Sequence, residues 1–248
     1  MKSFLLLGIP LVSAAAVAPR QNYFSFGNYF STGAVATDSW IRQATTTLVL
    51  PALNSPHDGN LGLWPGMGTK FDSGADGHLI QGLAISTVGI GSPCNLAANE
   101  NKWCGTNTTV LHHTERIPAI VLHMTVSFSL IGTVDLIFYC TTHAFADKYN
   151  DATSKFDQTV SVNGNVVSTL STASGHGAGW GTAMECQQVK CGTVPLHHYV
   201  DTKIIMNTPD PNYSRTVATL GASGSLVTAD GGKTWTAADI TIQPYTFV

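Results

Sequence analysis

Phe156-Asp-Gln-Thr-Val-Ser-Val162, then Asn163-Gly164, then Val166-Val-Ser-Thr-Leu170: this stretch decides the fold. Its apolar and polar residues alternate with the period of a half-buried strand. Asn-Gly between two such runs is the strongest short-range hairpin signal, because both residues tolerate the positive φ of a tight turn. Working outward, Thr45 to Leu50 is β-branched and apolar and stops at Pro51, which reads as a strand. Leu61 to Trp64 reads as the next strand, ended by Pro65-Gly66-Met67-Gly68. His78 to Val88 follows, with Ile80, Gly82 and Ala84 on one face and Leu79, Gln81, Leu83 and Ile85 on the other. Gly175 to Gly181 reads as a glycine-rich loop, Thr182 to Val189 as a strand carrying Glu185, and 200–206 and 240–247 as two more strands. Helical periodicity is scarce. Short strands separated by turn signals predict an all-β sandwich or barrel.

Composition bounds the function. Of 248 residues only 11% are charged, well below the usual quarter or so. The formal charge is -3, and no Lys/Arg run exists, which disfavours nucleic acid and anionic membranes as partners. Lys2, the apolar run Phe4 to Val12 and the small residues up to Ala18 have the layout of a cleavable signal peptide. The expected organisation is therefore a leader over 1–18, an N-terminal segment over 19–44 and a single β-sandwich domain over 45–248, secreted to the extracellular space as a monomer. Five cysteines stand at 94, 104, 140, 186 and 191. In an oxidising compartment they predict the local disulfides Cys94 with Cys104 and Cys186 with Cys191, leaving Cys140 over. No metal site or cofactor is expected, since no C-x-x-C is present and His112-His113 and His197-His198 are strand neighbours that point to opposite faces. Asn107 and Asn212 head N-x-S/T acceptors for surface glycans. Between Ile117 and Cys140 the one acidic or basic side chain apart from His123 is Asp135. That run reads as two buried strands, with a membrane span or a gene-model artefact as the alternatives.

Two polar residues stand out. Gln81 lies among apolar neighbours mid-strand, so it either faces solvent or serves as an oriented amide. Glu185 is an exposed strand carboxylate or, in a cleft, a general acid or base. Thr228-Ala-Asp230-Gly-Gly232-Lys-Thr234-Trp235 fits the Asp-box turn, a structural motif of which a single copy makes no propeller.

Gly62-Leu63-Trp64-Pro65-Gly66-Met67-Gly68, a turn, and Leu79-Ile80-Gln81-Gly82 resemble the glutamic peptidases (eqolisins, peptidase family G1) of secreted fungal enzymes. Ala183-Met184-Glu185 stands where that family has its Ala-Glu-Trp strand. The likeness runs over about residues 40–248, by pattern and order. It implies a concanavalin A-like two-sheet β-sandwich of jelly-roll type, with Glu185 activating water, Gln81 stabilising the oxyanion and Trp64 lining the substrate cleft. The chain departs from the family at Met67-Gly68, where an acidic residue is expected, near residues 117–140, where a middle strand rich in Trp, Tyr and Glu is expected, and at Cys186, where Trp is expected. Two functions follow as expectations: an acid hydrolase cutting polypeptide, or a non-catalytic lectin-like sandwich binding glycan or cell-wall polymer, with Trp64, Trp103, Trp180 and Trp235 as stacking residues. A glycosidase would need a second carboxylate across the cleft.

Overall fold

The computed structural model of the chain describes residues 24–53, 59–70, 77–86, 103–111, 142–187 and 191–248, without the side chains of 106–111. The signal-peptide residues, His112, His113 and the apolar run 117–140 lie outside the described residues.

The protein is an antiparallel β-sandwich. One layer contains β1 (Phe24–Ser31), β9 (Gly177–Gln187), β3 (Asn60–Thr69), β4 (His78–Ser86) and β5 (Cys104–Leu111), hydrogen-bonded in that spatial order, with β12 (Ala218–Leu220) on the outer edge of β1. The other runs β13 (Ala222–Gly224), β14 (Thr234–Ile242), β11 (His197–Met206), β2 (Ile41–Val49), β6 (Thr142–Asn150), β7 (Lys155–Val162) and β8 (Asn165–Thr172). Between the layers, the bridge Ile41 to Gly177 joins the corners of β2 and β9. A small ribbon pairs β10 (Gly192–Val194) with β15 (Tyr245–Phe247).

Alternation builds the core. Leu61, Leu63, Met67, Ile80, Ala84 and Met184 of the first layer meet Ala44, Leu48, Phe145, Val160, Tyr199 and Ile204 of the second. The layers press closest at Gly82, where an added Cβ would fall 2.1 Å from the Phe145 ring. The hairpin forms as its sequence predicts, with Asn163 and Gly164 at φ +48° and +83°. The Asp-box is a turn as well: Asp230 accepts from the Thr234 amide at 2.8 Å, and Trp235 is buried beneath it.

Three boundaries differ from expectation. β3 continues through Pro65 to Thr69. Pro65 faces Thr182 of β9, while no pairing with β4 forms at Trp64 or Pro65, so the missing N–H falls in a gap of the ladder. The glycine-rich stretch is largely strand, because β9 begins at Gly177 and its glycines let neighbouring chain pass close: a Cβ on Gly177 would sit 2.6 Å from the Ile41 carbonyl oxygen. The segment before residue 45 belongs to the sandwich, since β1 pairs with β9 and β2 starts at Ile41.

Candidate functional site

β3 lies between β4 and β9, so it sets where Gln81 and Glu185 fall. Gln81 pairs across with Gly66, and Gly66 in turn with Gly181. Glu185 pairs with Gly62. Directly paired residues share a face, so Gln81, Trp64 and Glu185 all project from the outer side of this layer, away from the main core. There Trp64, Leu79 and Leu83 form a second apolar cluster, and Gln81 and Glu185 are both buried.

Sharing a face does not bring them together. Gly66 and Gly62 are four positions apart along β3, about 13 Å of strand, and β4 and β9 are two strand spacings or roughly 10 Å apart, which separates the two Cα atoms by ~16 Å. A Gln and a Glu side chain cannot close that gap over one water molecule. Trp64 occupies the row between them. The β9 residues alongside Gln81 on this face are Gly179 and Gly181, which have no side chain to offer. The expected Gln81–Glu185 dyad is therefore not assembled.

Glu185 has other partners. Trp64 Nε1 donates to its Oε2 at 3.1 Å, and Gln187 Nε2 donates to its Oε1 at 2.8 Å. Burial pushes the Glu185 pKa above the ordinary carboxylate range, and the hydrogen bonds from Gln187 and Trp64 pull it back only in part. Gln81 Oε1 is buried and has no hydrogen-bond partner among the described residues, a costly state for an amide oxygen. Trp64, expected to line an open cleft, is instead buried, packed on its cluster and bonded to the carboxylate. Gln187 was legible in principle, since i and i+2 on a strand share a face.

The other expected residues separate as follows. Cys186 and Cys191 form a disulfide. Cys104 is disulfide-bonded too, and Cys94 lies outside the described residues. Asn212 is exposed at the start of a short 3-10 helix, whereas the Asn107 side chain is not among those described. His197 is buried with Nδ1 3.1 Å from the Pro195 carbonyl oxygen, while His198 faces outward and meets Asp239 at 2.8 Å. No group of three or more metal-ligating side chains occurs among the described residues. Trp103, Trp180 and Trp235 are buried, so none presents a ring face to a sugar. The tryptophan with part of its surface exposed is Trp40, which sequence pattern does not single out. Its ring stacks on His176 at 4.1 Å and carries Arg42 at 5.0 Å, so its faces are already engaged.

No protein-family model matches the chain, and no curated protein matches it.

Proposed function

We propose that this chain is an exported, non-catalytic β-sandwich that binds an extracellular glycan. The observation that carries the non-catalytic half is the offset of Gln81 from Glu185 along β3, with glycine at the β9 positions beside Gln81. Export is supported by the N-terminal leader pattern and by the disulfide chemistry at Cys186, Cys191 and Cys104, which belongs to oxidising compartments. A glycan suits a chain poor in charge and rich in strand hydroxyls, because neutral sugars bind through hydrogen bonds and apolar C–H faces rather than ion pairs. The test is co-sedimentation of the purified protein with insoluble cellulose, chitin, β-1,3-glucan and mannan, alongside digestion of a peptide library at pH 3 to 7. Retention on a polysaccharide without peptide cleavage is the expected result. Cleavage that Glu185→Gln abolishes would replace this reading.

One observation favours that second reading, an acid peptidase. Glu185 is a buried carboxylate whose two oxygens are held in fixed orientation, which is how a general base is positioned. It would have to work without Gln81, with Trp64 and Gln187 as its positioned donors among the described residues.

A further inference from the structure

We propose that the glycan seat is a groove on the outer face of the second layer, with Asp201 on its rim as the carboxylate that accepts sugar hydroxyls. The inference rests on the glycan-binding reading above and assigns it a place, on the sheet opposite to Trp64, Gln81 and Glu185. A cavity of about 210 Å³ lies there. Its floor is two adjacent rows across β2, β6 and β7: Thr45, Ala146 and Thr159, then Thr47, Ala144 and Ser161. All six are half-buried. None is larger than threonine, so the floor is lower than a sheet face carrying ordinary strand residues. It alternates hydroxyls with methyl groups, which matches the alternation of O–H and C–H around a sugar ring. Pockets that enclose drug-sized ligands hold roughly 300–1,000 Å³. This one is smaller and open, the size for one ring of a chain that continues across the surface.

Asp201 supplies the independent sign of function. The β11–β2 register shifts between Val200, opposite Thr47, and Lys203, opposite Thr45. Thr202 turns inward to bond Thr46 at 2.7 Å. Asp201 is the extra residue, at φ +53°, a left-handed conformation that costs a non-glycine residue energy and collects at functional sites. A bulge of this kind re-aims a side chain. Asp201 is exposed, and its carboxylate makes no hydrogen bond or ion pair with a described residue. It is the one charged group among the described residues lining the groove, so a ligand rich in hydroxyl donors is favoured over an anion.

The test uses the full secreted chain and hexasaccharides of β-1,4-glucose, β-1,3-glucose, chitin and mannose, followed by amide NMR and calorimetry. Amide shifts should concentrate at Thr45, Thr47, Ala146 and Asp201. Thr47→Leu and Thr159→Leu, which fill the floor and remove its hydroxyls without adding a stacking ring, should weaken binding at least tenfold. Asp201→Asn, which keeps the tolerance for positive φ, should weaken it several-fold. Asp201→Gly should match that loss while relaxing the backbone, which separates the carboxylate from the strain. Thermal melts identify any variant that fails to fold, and the second floor variant then decides. If the unsubstituted protein binds and every groove variant binds equally well, or the shifts cluster around Trp64, the groove is wrong and the glycan reading survives. If the unsubstituted protein binds none of these sugars and no insoluble polysaccharide, both fall.

Discussion

At the scale of single residues, burial sets the chemistry. Glu185 is held by two N–H donors against a desolvation cost that outweighs them. Removing either donor leaves burial less opposed, so Gln187→Leu and Trp64→Phe should each move the Glu185 pKa further up, read from the carboxyl ¹³C shift during a pH titration. A pKa that falls in either variant would show that the bonds do not stabilise the anion. Asp147 is a second case. It points inward on β6 opposite Gln158, and desolvation lifts its pKa from 3.8 to about 7. Because the folded pKa is the higher one, this group costs nothing below pH 3.8, and stability is lost as pH rises from there through about 7. The full loss is on the order of 4 kcal/mol. Asp147→Asn should therefore be neutral at pH 4 and stabilising at pH 8 in urea denaturation. Equal effects at both pH values would refute the assignment.

At the scale of elements, alternation and turn chemistry made most strands legible. The split of β4 into an Ile80/Ala84 face and a Leu79/Leu83 face is recovered in two separate apolar clusters. The Asn163-Gly164 hairpin and the Asp-box turn were likewise readable from local residues alone. Pro65 and the glycines of β9 misled for a common physical reason. Both are breakers in isolation, and what decides is whether the neighbouring strand leaves a ladder gap or needs the missing side chain's space. The offset between Gln81 and Glu185 was hidden for a related reason. Residue types and order name a face, but the distance between strands that never pair depends on the register of the strand between them. Gly82 is the sharpest test of interlayer fit. Gly82→Ala should cost roughly 1–3 kcal/mol or more through overpacking, and Phe145→Leu should recover part of it in a double-mutant cycle measured by chemical denaturation. Strict additivity would mean the two residues do not touch.

At the scale of the whole molecule, the described core carries ionisable groups that oppose one another. His143 on β6 and His197 on β11 are buried, and desolvation lowers each pKa from 6.5 to about 4. A depressed imidazole contributes stability that is present above the unfolded value and lost as pH falls through the folded one. Each is worth up to about 3 kcal/mol. Asp147 and Glu185, both raised by burial, act in the reverse sense. The unsubstituted protein should therefore gain modestly in unfolding free energy from pH 4 to 6.5, and Asp147→Asn should steepen that gain. A flat profile in Asp147→Asn would mean that burial does not lower the two imidazole pKa values in the folded chain. Finally, an α-carbon on β3 is bare where the sheet has room to spare. A Cβ built on Gly68 meets nothing within 4 Å, and Gly68 pairs with Leu79, placing Gln81 diagonally across the adjacent strand at about 7–8 Å. Gly68→Glu would thus set a carboxylate within solvent reach of that amide, so one replacement on a bare stretch of sheet brings an acid and an amide into a shared hydration shell.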